Sequence, residues 1–365
     1  MNRLTAIGLA SLVAYGLLIT TKYTGVVSAA RDEKGVSSST ASDDAAMRAV
    51  VMSVRGEPQH RTLVAQAQLP RAEQMRASPA AVDFRAARDL KAFVDGINSR
   101  RPGLTADERY YLARALEECQ FTTTINEDLA AYSAKQRKQF MQSLTVGDPN
   151  NTKRIAAYDA SDNTQRCMRF QGTKISQKDI EDLFLAAAQQ GDARALARLL
   201  VADLNAKLQA NRATDQTTAT TTRAPVVTDG MSQIIGLLQT RDPEAMMIVG
   251  NFLAQSAVAN QLHIGPNGEV PEPSAFLGAF SLVACDMTSD CVTLNREPQL
   301  ACAFSGYCNA QTFVELYQDF LASPYSYATA ARYRNIIHTA INTQNWSLIG
   351  LSPSSAPIAA STSGP

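Results

Sequence analysis

Apolar residues recur at three- and four-residue intervals along most of the chain between Asp83 and Trp346, which predicts helices and almost no strand. Asp83 reads as the cap of a helix carrying Phe84, Leu90, Phe93, Val94 and Ile97 on one face, ended by Arg101-Pro102-Gly103. Thr105-x-x-Glu108 is a capping-box pattern ahead of Tyr111, Leu112, Ala115, Leu116 and Cys119. A further helix is expected from Glu127 to Leu144, with Leu129, Tyr132, Phe140, Met141 and Leu144 inward. A shorter segment around Ile155 and Tyr158 leads to Cys167. Ser176 starts a helix bearing Ile180, Leu183, Phe184 and Ala187. Gly191 is placed to end it in a left-handed residue, and Asp192 to cap the next helix, with Leu196, Leu199, Leu200, Leu204 and Leu208 inward.

The period fails over residues 211–228, where threonine dominates, and a flexible connection is expected there. Helices resume at Met231, Ile234, Ile235 and Leu238. Asp242-Pro243-Glu244 combines a cap, a first-turn proline and a first-turn acid. Gly265-Pro266-Asn267-Gly268 reads as a turn. Later helices carry Phe276, Phe280 and Val283, then Phe313, Leu316 and Phe320, then Tyr333, Ile336, Ile337 and Ile341. Val50, Val51 and Val54 make the one modest strand candidate.

The expected fold is therefore all-α, an irregular helical-hairpin array or bundle of about a dozen helices. The organisation read from composition is an N-terminal apolar segment (1–30), a flexible linker (31–81), an N-terminal helical subdomain (82–210), the threonine-rich linker (211–228), a C-terminal subdomain (229–346) and a disordered tail (347–365).

Residues Leu4 to Thr21 form an uncharged apolar run between Arg3 and Lys22. As a helix rising ~1.5 Å per residue it would span roughly 27 Å, close to a bilayer core. A cleaved signal peptide is the other reading, with Val27-Ser28-Ala29 as its small-residue site. The anchor is preferred, because the run is long and Ser/Ala/Arg/Gln-rich residues follow it like a tether. Both readings put the bulk of the chain outside the cytoplasm, on the periplasmic side, and the anchor makes the inner membrane a partner through residues 4–21.

Composition narrows the function classes. The 365 residues carry 34 basic and 34 acidic side chains, for a formal net charge of zero. That balance gives no whole-domain grip on nucleic acid, and none is expected as partner.

Six cysteines follow the apolar segment, four of them in two equal brackets, Cys285-x5-Cys291 and Cys302-x5-Cys308. In an exported chain they read as disulfides. Zinc ligand pairs are usually spaced by two to four residues, and His263 and His338 are far away in sequence, so no metal is expected. Cys119 and Cys167 stand alone in the N-terminal half and pair by segregation. The other four allow three connectivities. A crossed set, Cys285–Cys302 or Cys291–Cys308, is preferred because the two brackets flank a helical segment around Leu300.

No catalytic set stands out and no cofactor is expected. His60, His263 and His338 are scattered, and no nucleotide-binding or nucleophile-elbow glycine motif is present. Glu117 with Glu118, and Asp286 with Asp290, are the acids that a glycan hydrolase would use in pairs. Asp286 and Asp290 lack the oxygen-ligand spacing of a calcium loop. Trp346, Tyr325, Tyr327 and Tyr333 make the C-terminus aromatic, for packing or for a sugar or peptide groove.

The segments AAAQQGDARALARLL and GLLQTRDPEAMMIVG align Asp192 with Asp242, Ala195 with Ala245 and Leu199 with Val249. This resembles half of a Sel1-like or tetratricopeptide-like repeat, although the second glycine-bearing half is missing, and a generic helical hairpin is the preferred reading. The order of Leu-Glu-Glu-Cys, Arg-Cys, Ala…Gly-Asp and a late Cys-x-x-Ser-Gly-x-Cys-like block resembles exported helical proteins of proteobacteria. That resemblance implies an envelope protein and carries over no activity. The expected function is a non-enzymatic binding or scaffold module with a protein or peptide partner. The alternative is an envelope hydrolase acting on peptidoglycan through paired carboxylates.

Overall fold

The computed structural model describes residues 77–100, 103–215 and 226–351. The apolar segment 4–21, the linker to residue 76, His60, the valines at 50, 51 and 54, and the tail beyond Leu351 lie outside the described residues. All described residues belong to one compact unit. Their regular structure is helical, with a single bridge between Ile264 and Glu269. Among them no helix is long and apolar enough to cross a membrane.

The single helix expected from Asp83 is two. α1 (Pro79–Ala86) is capped by Ser78, and α2 (Leu90–Asn98) by Asp89, whose carboxylate accepts from Ala92 N at 3.0 Å. An aspartate that can bond the backbone three residues on competes with helix continuation. The carbonyls opened at the break do not go unpaired. Arg166 donates to Phe84 O at 2.8 Å and to Ala87 O at 2.9 Å.

α3 (Ala106–Cys119) has its capping box, with Glu108 N on Thr105 Oγ1 at 3.2 Å and Thr105 N on Glu108 Oε2 at 2.9 Å. α4 (Leu129–Ser143), α5 (Asn151–Ser161) and α6 (Asn163–Cys167) follow. α4 turns Met141 out to solvent, against expectation, while Leu129 and Phe140 are buried.

Two hairpins come next, α7 (Gln177–Gln189) with α8 (Ala193–Asp215), and α9 (Val226–Gln239) with α10 (Pro243–Leu253). Helix thus extends into both ends of the threonine-rich segment. The two hairpin corners match. Gly191 (φ 86°) and Arg241 (φ 57°) both take the left-handed conformation, and Asp192 and Asp242 both cap through the N–H of an alanine, Ala195 at 3.0 Å and Ala245 at 2.8 Å. Ala195 and Ala245 are fully buried, as close helix approach requires. The alignment ends there, because Val249 is buried and Leu199 is exposed. α8 buries the face of Ala195, Leu204 and Leu208 instead, and this turns Leu196 and Leu199 outward.

The chain continues through α11 (Ser256–Ala259), α12 (Pro273–Asp286), α13 (Glu297–Ser305), α14 (Phe313–Leu316) and α15 (Pro324–Thr343). Packing runs from α3 to α7, α8, α10, α12 and α15 in turn, and α13 lies back against α5. The segments before and after the threonine-rich stretch are therefore packed on one another.

Gly250 lets α10 meet α12, because a Cβ there would strike the Cβ and ring of buried Phe280. We expect Gly250→Ala to lower stability by about 1–3 kcal/mol through overpacking. Gly236→Ala, on an exposed helical position with open space around it, should raise stability by about 0.5–1 kcal/mol. Urea melts of the two variants check this contrast.

All six cysteines are in disulfides, Cys119–Cys167, Cys285–Cys291 and Cys302–Cys308. The crossed pairing of the last four is thereby corrected. A 3-10 turn at Ser289–Leu294 brings Cys291 back to Cys285, with Cα atoms 4.1 Å apart. Gly306, left-handed at φ 78°, ends α13 and folds Cys308 back to Cys302 at 4.2 Å. Each bracket closes on itself because a turn falls inside it. The chain also stays packed past Ser347, with Ile349 and Leu351 buried and Gly265 N donating to Leu348 O at 2.7 Å.

Candidate functional site: ion pairs at the helix crossings

The corner that begins α10 carries the most buried acid chemistry. Glu244, 5% exposed, sits in the first turn and faces α3. Tyr110 Oη donates to Glu244 Oε1 at 2.7 Å, Tyr111 Oη to Oε2 at 3.1 Å, and Arg114 Nη1 reaches Oε1 at 3.4 Å. The first turn of a helix favours a carboxylate, and three donors satisfy its charge. Burial pushes the Tyr111 phenol up, and the Glu244 carboxylate adds to that effect.

The matching corner supplies Arg194. Its guanidinium lies over the rings of Tyr110 and Tyr111, 4.5 and 4.8 Å from their centroids. It donates to Asp192 Oδ2 at 2.5 Å and to Asp107 Oδ1 at 2.6 Å. Burial is the largest single effect and works against its charge, but the Asp192 hydrogen bond together with the charges of Asp192, Tyr111 and Asp242 outweighs it. One turn on, Arg198 pairs with Glu117 and lies 4.4 Å over the Phe184 ring. Burial pushes Asp242 up to about 6, although Ala245 N and Arg194 pull the other way. Both hairpin corners therefore meet on α3 between Asp107 and Arg114 through alternating charges and aromatic faces.

Two further clusters tie the remaining helices. Glu118 pairs with Arg166 and, at 3.2 Å, with Arg296, which also donates to Asn163 Oδ1 at 2.6 Å. This cluster adjoins Cys119 and Cys167 in sequence. Asp286 accepts from Arg334 Nε at 2.6 Å and lies 2.7 Å from His338 Nε2. Burial alone would raise the Asp286 carboxyl, but the bonds from His338 and Arg334 hold it below the usual carboxylate range.

The acids proposed for hydrolysis are thus placed in three separate settings. Glu117 faces Arg198 and Arg114, Glu118 faces Arg166 and Arg296, and Asp286 faces Arg334 and His338. Asp290 lies in the 3-10 turn of the first cysteine bracket. Asp286, held below the usual carboxylate range by its partners, does not suit a general acid. Of the histidines, His263 Nδ1 is 3.1 Å from Gly268 O in a turn, and His338 belongs to the Asp286 cluster. The aromatic residues divide. Trp346 and Tyr333 are buried, whereas Tyr325 is exposed.

Sequence reasoning read Glu244 only as a first-turn acid and missed Tyr110, Arg194, Arg166, Arg296 and Arg334. One local signal was available: an arginine two residues after the capping aspartate, in Asp192-Ala193-Arg194, folds back on its own cap. The other partners are brought together from positions that no sequence period connects.

Fold and clusters together define an all-α protein stapled by three disulfides. No protein-family model, curated protein or solved structure matches the chain.

Proposed function

We propose that this chain is a non-enzymatic binding or scaffold module of the cell envelope, displayed outside the cytoplasm and tethered through its N-terminal apolar segment. The observation that carries the reading is the pairing of Glu117, Glu118 and Asp286 with arginine or histidine in clusters that join helices. Acids committed in this way act as packing elements. Three disulfides fit an oxidising compartment. The helical hairpins offer a protein partner a rigid face, and Leu185, Leu196 and Leu199 stand exposed on the α7–α8 pair.

The test uses the purified full chain. Incubated with peptidoglycan, it should release no soluble fragments. Crosslinking in envelope fractions should give a discrete adduct that Leu196→Asp with Leu199→Asp removes while the helical circular dichroism stays unchanged. Glycan cleavage that is lost in Glu118→Gln or Asp286→Asn would instead establish the hydrolase reading.

A further inference from the structure

Glu297 is the buried acid that no cluster uses. It is the first residue of α13, is 7% exposed, and accepts no hydrogen bond from the described residues. α13 lies along α5 and next to α14. The charged groups on these elements are directed elsewhere. On α5, Arg154 is held by Ala303 O at 3.0 Å and by Asp148 at 3.5 Å, Asp159 is held by Arg137, and Lys153 is exposed. On α14, Glu315 closes its own capping box with Thr312. Arg296, adjacent in sequence, is engaged with Glu118, Asn163 Oδ1 and Ser161 O. Of all these groups only Arg296 exerts a pull on the Glu297 carboxyl.

Burial with no donor beside it costs the ionised carboxyl more than the neutral one, and this opposes the ordinary preference of a helix start for a negative charge. We infer that Glu297 makes the α5–α13 contact a pH-sensitive joint, closed while the carboxyl is protonated and loosened when it ionises. The consequence falls on an aromatic cluster. Phe304 of α13, 45% exposed, packs edge-on against Phe140 at 5.8 Å and Tyr158 at 6.0 Å. Movement of α13 away from α5 parts these rings and bares their faces.

Burial pushes the Glu297 carboxyl up to about 7. A raised carboxyl favours the closed form at low pH. That advantage is complete below the ordinary glutamate range and is lost as pH rises through about 7. With an ordinary value near 4.3 in the opened form, the opening constant should rise roughly eightyfold between pH 5 and pH 8.

Hydrogen exchange of the full chain, corrected for intrinsic rates, reads this directly. Amides of residues 297–305 should lose protection by that factor over this range in the wild type. Those of α3 should not. In Glu297→Gln, which mimics the neutral acid, the pH dependence of residues 297–305 should vanish. Equal pH dependence in both proteins overturns the inference. A carbon-13 carboxyl titration of the wild-type protein decides the matter independently of how the variant folds, because an ordinary carboxylate midpoint for Glu297 also overturns it.

Discussion

Replacing Cys119 and Cys167 together with alanine is expected to cost about 4 kcal/mol of stability, roughly twice the cost of opening either C-terminal bracket. The disulfide spans a sequence separation of 48, against 6 for each of the others. A longer closed loop removes more freedom from the unfolded chain, by about 4 kcal/mol here against about 2 for the short loops. The native state adds to the difference. Both sulfurs are fully buried, and the bridge pins α6 against the end of α3, where Glu118 and Arg166 pair. Without it that ion pair must be held by packing alone. Urea unfolding of the three double variants, each compared with the parent, gives the order directly. A Cys119/Cys167 variant no less stable than the Cys302/Cys308 variant would contradict the argument.

Glu244→Ala should be nearly as damaging, at about 3–5 kcal/mol. The carboxylate is the common acceptor for Tyr110, Tyr111 and Arg114. Its removal takes the shared acceptor from two buried phenols, leaves Arg114 with Glu117 as its acidic partner, and opens a hole between α3 and α10. Glu244→Gln keeps the shape and one acceptor oxygen, so it should cost less, about 1–3 kcal/mol. A double-mutant cycle of Glu244→Gln with Tyr110→Phe should give a coupling of about 0.5–3 kcal/mol, because the two groups share one bond. Additivity of the two changes would mean that the contact carries no energy of its own.

The elements of this fold were largely legible. Thr105 with Glu108, Asp192, and Asp242 with Pro243 each mark a helix start by chemistry confined to four residues, and each cap is where the sequence places it. Two of the errors share one cause, contacts made by other helices. Asp83 and Asp89 are both plausible caps, and the choice fell to Arg166, which comes from far along the chain to hold the carbonyls of Phe84 and Ala87. Leu196 and Leu199 continue a helical stripe, yet α8 buries its alanine face because close approach of the hairpins favours small residues there. The crossed disulfides failed because equal spacing does not reveal a turn inside the bracket.

The candidate site was legible as residues and not as partners. Glu117, Glu118 and Asp286 stood out as acids in sequence, but the guanidinium that neutralises each one is supplied by another helix. Glu297 gave no sign at all, since a first-turn glutamate is ordinarily a solvated one.

What the sequence by itself determined is the helical class, the corners of the two hairpins, and an even set of cysteines able to pair completely. These follow from local rules, in which apolar period, capping hydroxyls and carboxylates, and left-handed residues act within a turn or two of chain. Only the tertiary structure decided which cysteines join, which leucines face solvent, and which acids are neutralised and which are left alone. Apart from the two short cysteine loops, which local turns close, those outcomes depend on contacts between residues far apart in the chain, where burial sets the cost of each charge and a partner on another helix decides whether that cost is met.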